Sequence, residues 1–106
     1  MYRMGRIYFT PKILYMQHKF TEKEKIILQA ISLVIKERLS VLNKSQRLLG
    51  YENGVQPSFI SRMKLNQNEP KIFSIWELSN ALEMKPSEFF KLVEDKLPEN
   101  FTLLDL

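Results

Sequence analysis

Ser45-Gln46-Arg47-Leu48-Leu49-Gly50-Tyr51-Glu52-Asn53-Gly54-Val55-Gln56-Pro57-Ser58-Phe59-Ile60-Ser61-Arg62-Met63 decides the fold of this 106-residue chain. Ser45 can cap a short helix, because its hydroxyl can accept from a backbone N–H of the first turn. Asn53-Gly54 stops that helix, since glycine takes positive φ without a Cβ penalty. Gln56-Pro57 opens another helix, with proline suited to the first helical position. Two short helices about a glycine turn form a helix-turn-helix arrangement. The second helix crosses close above the first, so the fifth residue of the first must be small. Counted from Gln46, that residue is Gly50. Leu49, Val55, Ile60 and Met63 supply the apolar contacts between the two helices. Every one of these positions holds a compatible residue, with no insertion or deletion.

Upstream, Thr21-Glu22-Lys23-Glu24 reads as a capping box. Ile27, Leu28, Ile31, Val34, Ile35 and Leu39 follow at steps of three and four, which predicts a helix ending near Ser40. Downstream, residues 66–70 read as a loop. Ile72, Ile75, Trp76, Leu78, Ala81 and Leu82 predict a fourth amphipathic helix, with Ser74 and Glu77 spaced as a second capping pair. Lys85-Pro86-Ser87-Glu88 starts a fifth helix carrying Phe89, Phe90, Leu92 and Val93, and Pro98 stops it. The expectation is an all-α fold with helices near 22–39, 45–52, 56–64, 72–83 and 86–96. Its core should contain Ile31, Ile35, Leu49, Val55, Ile60, Leu78, Leu82 and Phe89. Residues 1–20 read as a poorly ordered tail, 21–96 as the domain, and 97–106 as a tail serving a dimer or a partner. Within the first tail, Ile7-Tyr8-Phe9 could form a short strand, and Met16, just before the first helix signal, could be an alternative start of translation.

Composition removes several classes of function. Hydrophobic residues make up 44% and charged residues 26%, values that support one folded domain. Cysteine is absent and His18 is the single histidine, so no cofactor or metal is expected. Gly5, Gly50 and Gly54 match no phosphate-loop spacing. Glu94-Asp95 sits on a solvated helix end without partner groups, so no enzyme is expected. The first twenty residues are too short and too charged to span a membrane, and they lack a signal-peptide pattern. A cytoplasmic protein with no membrane association is therefore expected. The net charge of +4 is unevenly spread. Residues 36–71 carry seven bases against three acids, a net of +4, whereas residues 72–106 carry three bases against seven acids, a net of −4. A basic middle and an acidic end suggest that one surface faces a polyanion and another faces elsewhere.

The ordered series Ser45-Gln46, Leu49, Gly54-Val55, Ser58 through Met63, Asn68-Glu69-Pro70, Ala81-Leu82 and Ser87-Glu88-Phe89-Phe90 resembles the phage Cro and lambda-repressor type helix-turn-helix family, often called XRE-like. The likeness runs without gaps from about residue 37 to 90. It implies a five-helix, lambda-repressor-like, DNA-binding domain. It further implies that Gln46 bonds a phosphate at the start of the first motif helix, where the helix dipole favours an anion. Gln56, Ser58 and Arg62 would point into the major groove, glutamine toward adenine and arginine toward guanine. Lys44, Lys64 and Asn66 would lie along the phosphate backbone, the lysines releasing counterions. The chain departs from the family pattern at three places. Gly50 replaces the usual alanine, Leu65-Asn66 replaces an Arg-Gly pair, and Pro57 stands where a base-reading side chain is common.

The resulting expectation is a sequence-specific double-stranded DNA-binding transcriptional regulator, repressor-like, with its recognition helix near 56–64. The alternative is an antitoxin that also binds a toxin protein through residues 92–106, or an interaction module that has lost DNA readout. One recognition helix covers only a few base pairs, so a homodimer on two half-sites is expected. Phe90, Val93, Leu97, Phe101, Leu103 and Leu104 are its expected contacts.

Overall fold

Residue Thr21 starts the first helix as the sequence predicts. Its hydroxyl accepts from the Glu24 N–H at 3.1 Å, and the Glu24 carboxylate accepts from the Thr21 N–H at 2.8 Å. In the computed structural model, which describes residues 20–64 and 69–104, five helices follow one another: α1 Glu22–Leu42, α2 Gln46–Asn53, α3 Pro57–Lys64, α4 Ile72–Ala81 and α5 Pro86–Asp95. No strand occurs among the described residues. The expected Ile7-Tyr8-Phe9 strand lies outside them.

α1 runs one turn past the expected end. Val41 and Leu42 are compatible with a helix, and Asn43 is the first residue that readily turns left-handed, at φ 56°. The Lys44 N–H then bonds the Leu39 carbonyl at 3.0 Å, and the Asn43 N–H bonds that of Ser40 at 3.0 Å. α4 ends two residues early for the corresponding reason. Glu83 takes φ 61°, and the Met84 N–H reaches the Ser79 carbonyl at 2.9 Å.

The expected Ser74–Glu77 cap does not form. α4 begins at Ile72, with Lys71 at the cap position and no side-chain cap. The Ile75 N–H bonds the Lys71 carbonyl at 3.0 Å, so Ser74 is already inside the helix.

The core gathers around Ile35, Leu49, Ile60, Leu78, Leu82 and Phe89, all fully buried. Ile31 is buried with them, and Val55 is half-buried and packs against the cluster. α1 packs on α3 and α5, α2 on α3 and α4, and α4 on α5. Hence α1 is the spine, and α3 leans on it with Ile60 and Met63 buried in the shared core. Ser79, fully buried in this region, donates its hydroxyl to the Ile75 carbonyl at 2.8 Å, which removes its desolvation penalty. Arg38 fastens α1 to the end of α4, donating to the Leu82 carbonyl at 2.8 Å and the Glu83 carbonyl at 3.2 Å. A guanidinium at a helix C-terminus also complements the macrodipole.

Two expectations for the apolar residues change. Ile72 and Trp76 are on the outside of α4, whereas Ile75, Leu78, Ala81 and Leu82 face the core. The predicted stripe is wider than the arc one helix can bury, so its outer edge stays in solvent. Val93 is 3% exposed within the protomer and is unavailable to a dimer. The stretch after α5 lies back along α1. Leu97 packs against the core, Lys96 pairs with Glu37 at 2.7 Å, and the Lys23 ammonium donates to the Leu104 carbonyl at 3.0 Å. Leu103 lines an apolar groove with Phe20, Ile27, Leu28 and Ile31.

Candidate nucleic-acid interface

α2 and α3 are each eight residues long, below the length at which isolated helices persist in water. Caps and packing therefore hold them. The Ser45 hydroxyl accepts from the Leu48 N–H at 3.1 Å and starts α2. Gly54 ends it at φ 69°, and the Val55 N–H bonds the Gly50 carbonyl at 3.1 Å. The Asn53 amide adds a bond to the Leu49 carbonyl at 2.9 Å. Gly50 is buried, as the close helix crossing requires. Pro57 is the first residue of α3, and the Gln56 carbonyl accepts from the Phe59 N–H at 3.0 Å.

These constraints fix which side of α3 faces out. Ile60 and Met63 are buried and Phe59 is half-buried, which leaves Ser58 and Arg62 exposed one turn apart on the outer face. Gln56 is exposed immediately before the helix. The three residues expected to read bases are thus all exposed, Ser58 and Arg62 on one face of α3 and Gln56 at its start.

The residues expected at phosphates are distributed differently. Gln46 is the first residue of α2, half-buried. With Lys36, Ser40, Asn43, Lys44 and Ser45 it lines a polar hollow of about 540 Å³. Lys44 bridges two carboxylates, Glu52 at 2.7 Å and Glu83 at 3.4 Å. The hydrogen bond to Glu52 is the main cause that raises its pKa above the ordinary 10.5. Lys44 therefore ties the end of α2 to the α4–α5 turn. Lys64 is the last residue of α3. Asn66 lies outside the described residues.

Three further exposed residues border this interface. Lys36 is exposed on α1 at the polar hollow. Arg47 and Tyr51 are exposed on α2. The signal for the last two was their four-residue spacing on the side of α2 opposite the buried Leu49.

No family model matches this sequence, and no curated protein matches it. Solved structures do. The restriction-modification controller protein C.Esp1396I, crystallised as a tetramer in complex with its natural 35-base-pair operator, superposes with a TM-score of 0.61. The two sequences are 24% identical, over 66% of this chain and 92% of the controller. The two chains share a fold. A point mutant of the same controller gives a TM-score of 0.62 over 71% of this chain, and the wild-type protein alone gives 0.60 over 66%. The five-helix, all-α helix-turn-helix architecture is therefore shared with C.Esp1396I, and the match covers nearly all of that protein's length. Among the described residues, no helix is long and apolar enough to cross a membrane.

Proposed function

We propose that this chain is a sequence-specific double-stranded DNA-binding transcriptional regulator, repressor-like, that lays α3 in the major groove. The observation that carries this reading is the exposed edge formed by Gln56, Ser58 and Arg62, held by a capped two-helix unit whose opposite side is fully buried. Such an edge can form bidentate bonds with base edges: glutamine with adenine, arginine with guanine, and serine with either. Gln46 at the start of α2 bonds a phosphate and sets the register, with Lys64 and Asn66 on the backbone beyond α3. Lys44 reaches a phosphate by releasing one of its two half-exposed carboxylates. That exchange is inexpensive, because ion pairs in solvent contribute little to stability. The fold neighbour C.Esp1396I binds its operator as a tetramer, which supports both DNA binding and self-association for the shared fold.

The second copy in this reading sits on α4. Ile72, Phe73 and Trp76 are 65%, 80% and 53% exposed and lie within a turn of one another. A face of this kind is what a monomer leaves open and a dimer covers.

Selection of bound duplexes from a random pool tests the reading. The wild type should enrich one sequence with two-fold symmetry. Arg62→Ala should lose discrimination at one position in each half-site, by about 1–3 kcal/mol. A pool that stays random after selection would contradict sequence-specific readout and favour a module that binds protein only.

A further inference from the structure

α2 carries an outward feature for which the fold gives no use. Arg47 and Tyr51 are exposed and four residues apart, so they share one face of the helix. Tyr51 is 86% exposed, the highest value for a large apolar side chain among the described residues. A ring so placed adds little to the protomer core and keeps both its face and its hydroxyl for a partner. With Gly50, Gly54, Val55 and Gln56, the two residues line an open groove of about 370 Å³ beside the turn. The groove stays open at Gly54, where an added Cβ would meet nothing within 4 Å. No acid lines it, because the neighbouring Glu52 bonds Lys44 at 2.7 Å. Among the described residues, Arg47 makes no ion pair.

We propose that this groove receives the sugar-phosphate backbone beside the major groove, with the Arg47 guanidinium pairing with one phosphate and the Tyr51 hydroxyl donating to the same phosphate or the next. This rests on the DNA-binding reading and widens the contact from α3 to the outer face of α2. Three features select a nucleic-acid backbone over a protein as the occupant. The groove is cationic with no acid in its wall. The guanidinium fork matches two phosphate oxygens, a geometry that lysine lacks. The groove is also continuous with the proposed interface, since Gln46 begins the same helix and Gln56 is part of the groove wall.

The experiment is a titration of the full chain against a short fluorescent duplex of mixed sequence at rising salt, for the wild type, Arg47→Gln, Tyr51→Phe and Lys91→Gln. Lys91 is an exposed α5 residue paired with Asp95, so its substitution removes the same charge away from the groove. Arg47→Gln should weaken binding about tenfold at low salt, as expected for a charge-assisted hydrogen bond. It should also make the log–log salt slope shallower by about 0.9 per protomer. Tyr51→Phe should weaken binding about threefold and leave the slope unchanged, because a neutral donor releases no counterion. Lys91→Gln should leave the slope unchanged. Helical circular dichroism of each variant should match the wild type, since both groove residues are exposed. If the wild type binds with a steep slope and Arg47→Gln is indistinguishable from Lys91→Gln, the inference is overturned, the DNA-binding reading stands, and the groove is left to a protein. If the wild type itself shows no salt-dependent binding, both fail together.

Discussion

The α2–α3 pair and α4 bury their inner sides by the same rule but present opposite outer sides. The pair turns Arg47, Gln56, Ser58 and Arg62 outward, in a basic stretch with few acids. α4 turns Ile72, Phe73 and Trp76 outward, in an acidic stretch. A polar, cationic edge gains by meeting a polyanion, whereas an apolar edge gains only by leaving water. On the proposed function, the difference teaches that one small domain can separate a reading surface from an assembling surface by placing them on different helices.

The largest expected effect tests whether the α2–α3 edge depends on the core beneath it. Ile60 is fully buried where α3 meets α1, so Ile60→Ala should lower stability by about 2–5 kcal/mol. Chemical denaturation measures this, and a midpoint equal to the wild type would break the link between edge and core. The next effect separates the two surfaces. Trp76→Ser should weaken self-association by about 2 kcal/mol or more, as for an aromatic anchor, while the protomer stays folded. Sedimentation velocity across concentrations reads it, and an unchanged species distribution would remove α4 as the assembling face.

A smaller effect concerns the cap that makes α2 possible. Ser45→Ala should cost about 1 kcal/mol, seen as a lower melting temperature, because the Leu48 N–H loses its acceptor. The smallest effect is at alkaline pH. The Lys44 pKa is raised by Glu52, so its stabilising contribution is complete below the unfolded value of 10.5 and is lost as pH rises through the higher folded value. Lys44→Met should therefore lower stability by a small, constant amount at neutral and mildly alkaline pH, and the two proteins should converge only as pH rises above 10.5. Denaturation midpoints over that range check the sign.

Local chemistry was legible in the sequence wherever a short-range pattern decides the outcome. Thr21 and Glu24, Ser45, Gly54 and Pro57 all occupy the capping and turn positions that their types predict. The outward edge of α3 followed from Ile60 and Met63 alone, because a short helix buried on one side has only one side left. What the sequence hid is non-local. The Lys44 bridge joins residues eight and thirty-nine positions apart, and nothing in the spacing of Glu52 or Glu83 marks them as its partners. On α4, Ile72 and Trp76 repeat at the same interval as Ile75 and Ser79, so periodicity alone assigns neither set to the core. Val93 looked available for a dimer because the packing of α5 on α1 is set by tertiary contact. Spacing alone gives Arg47 no distinct role, because an exposed arginine gains meaning only beside Tyr51 and the open turn.

The most direct test of the account is the equilibrium affinity of the full chain for duplex DNA as a function of salt concentration. Each phosphate contact should contribute about −0.9 to the slope of log affinity against log salt. The account predicts tight binding at low salt and a slope of several units, from the combined contacts of two protomers. An affinity that is negligible at low salt, or flat across the titration, would contradict it.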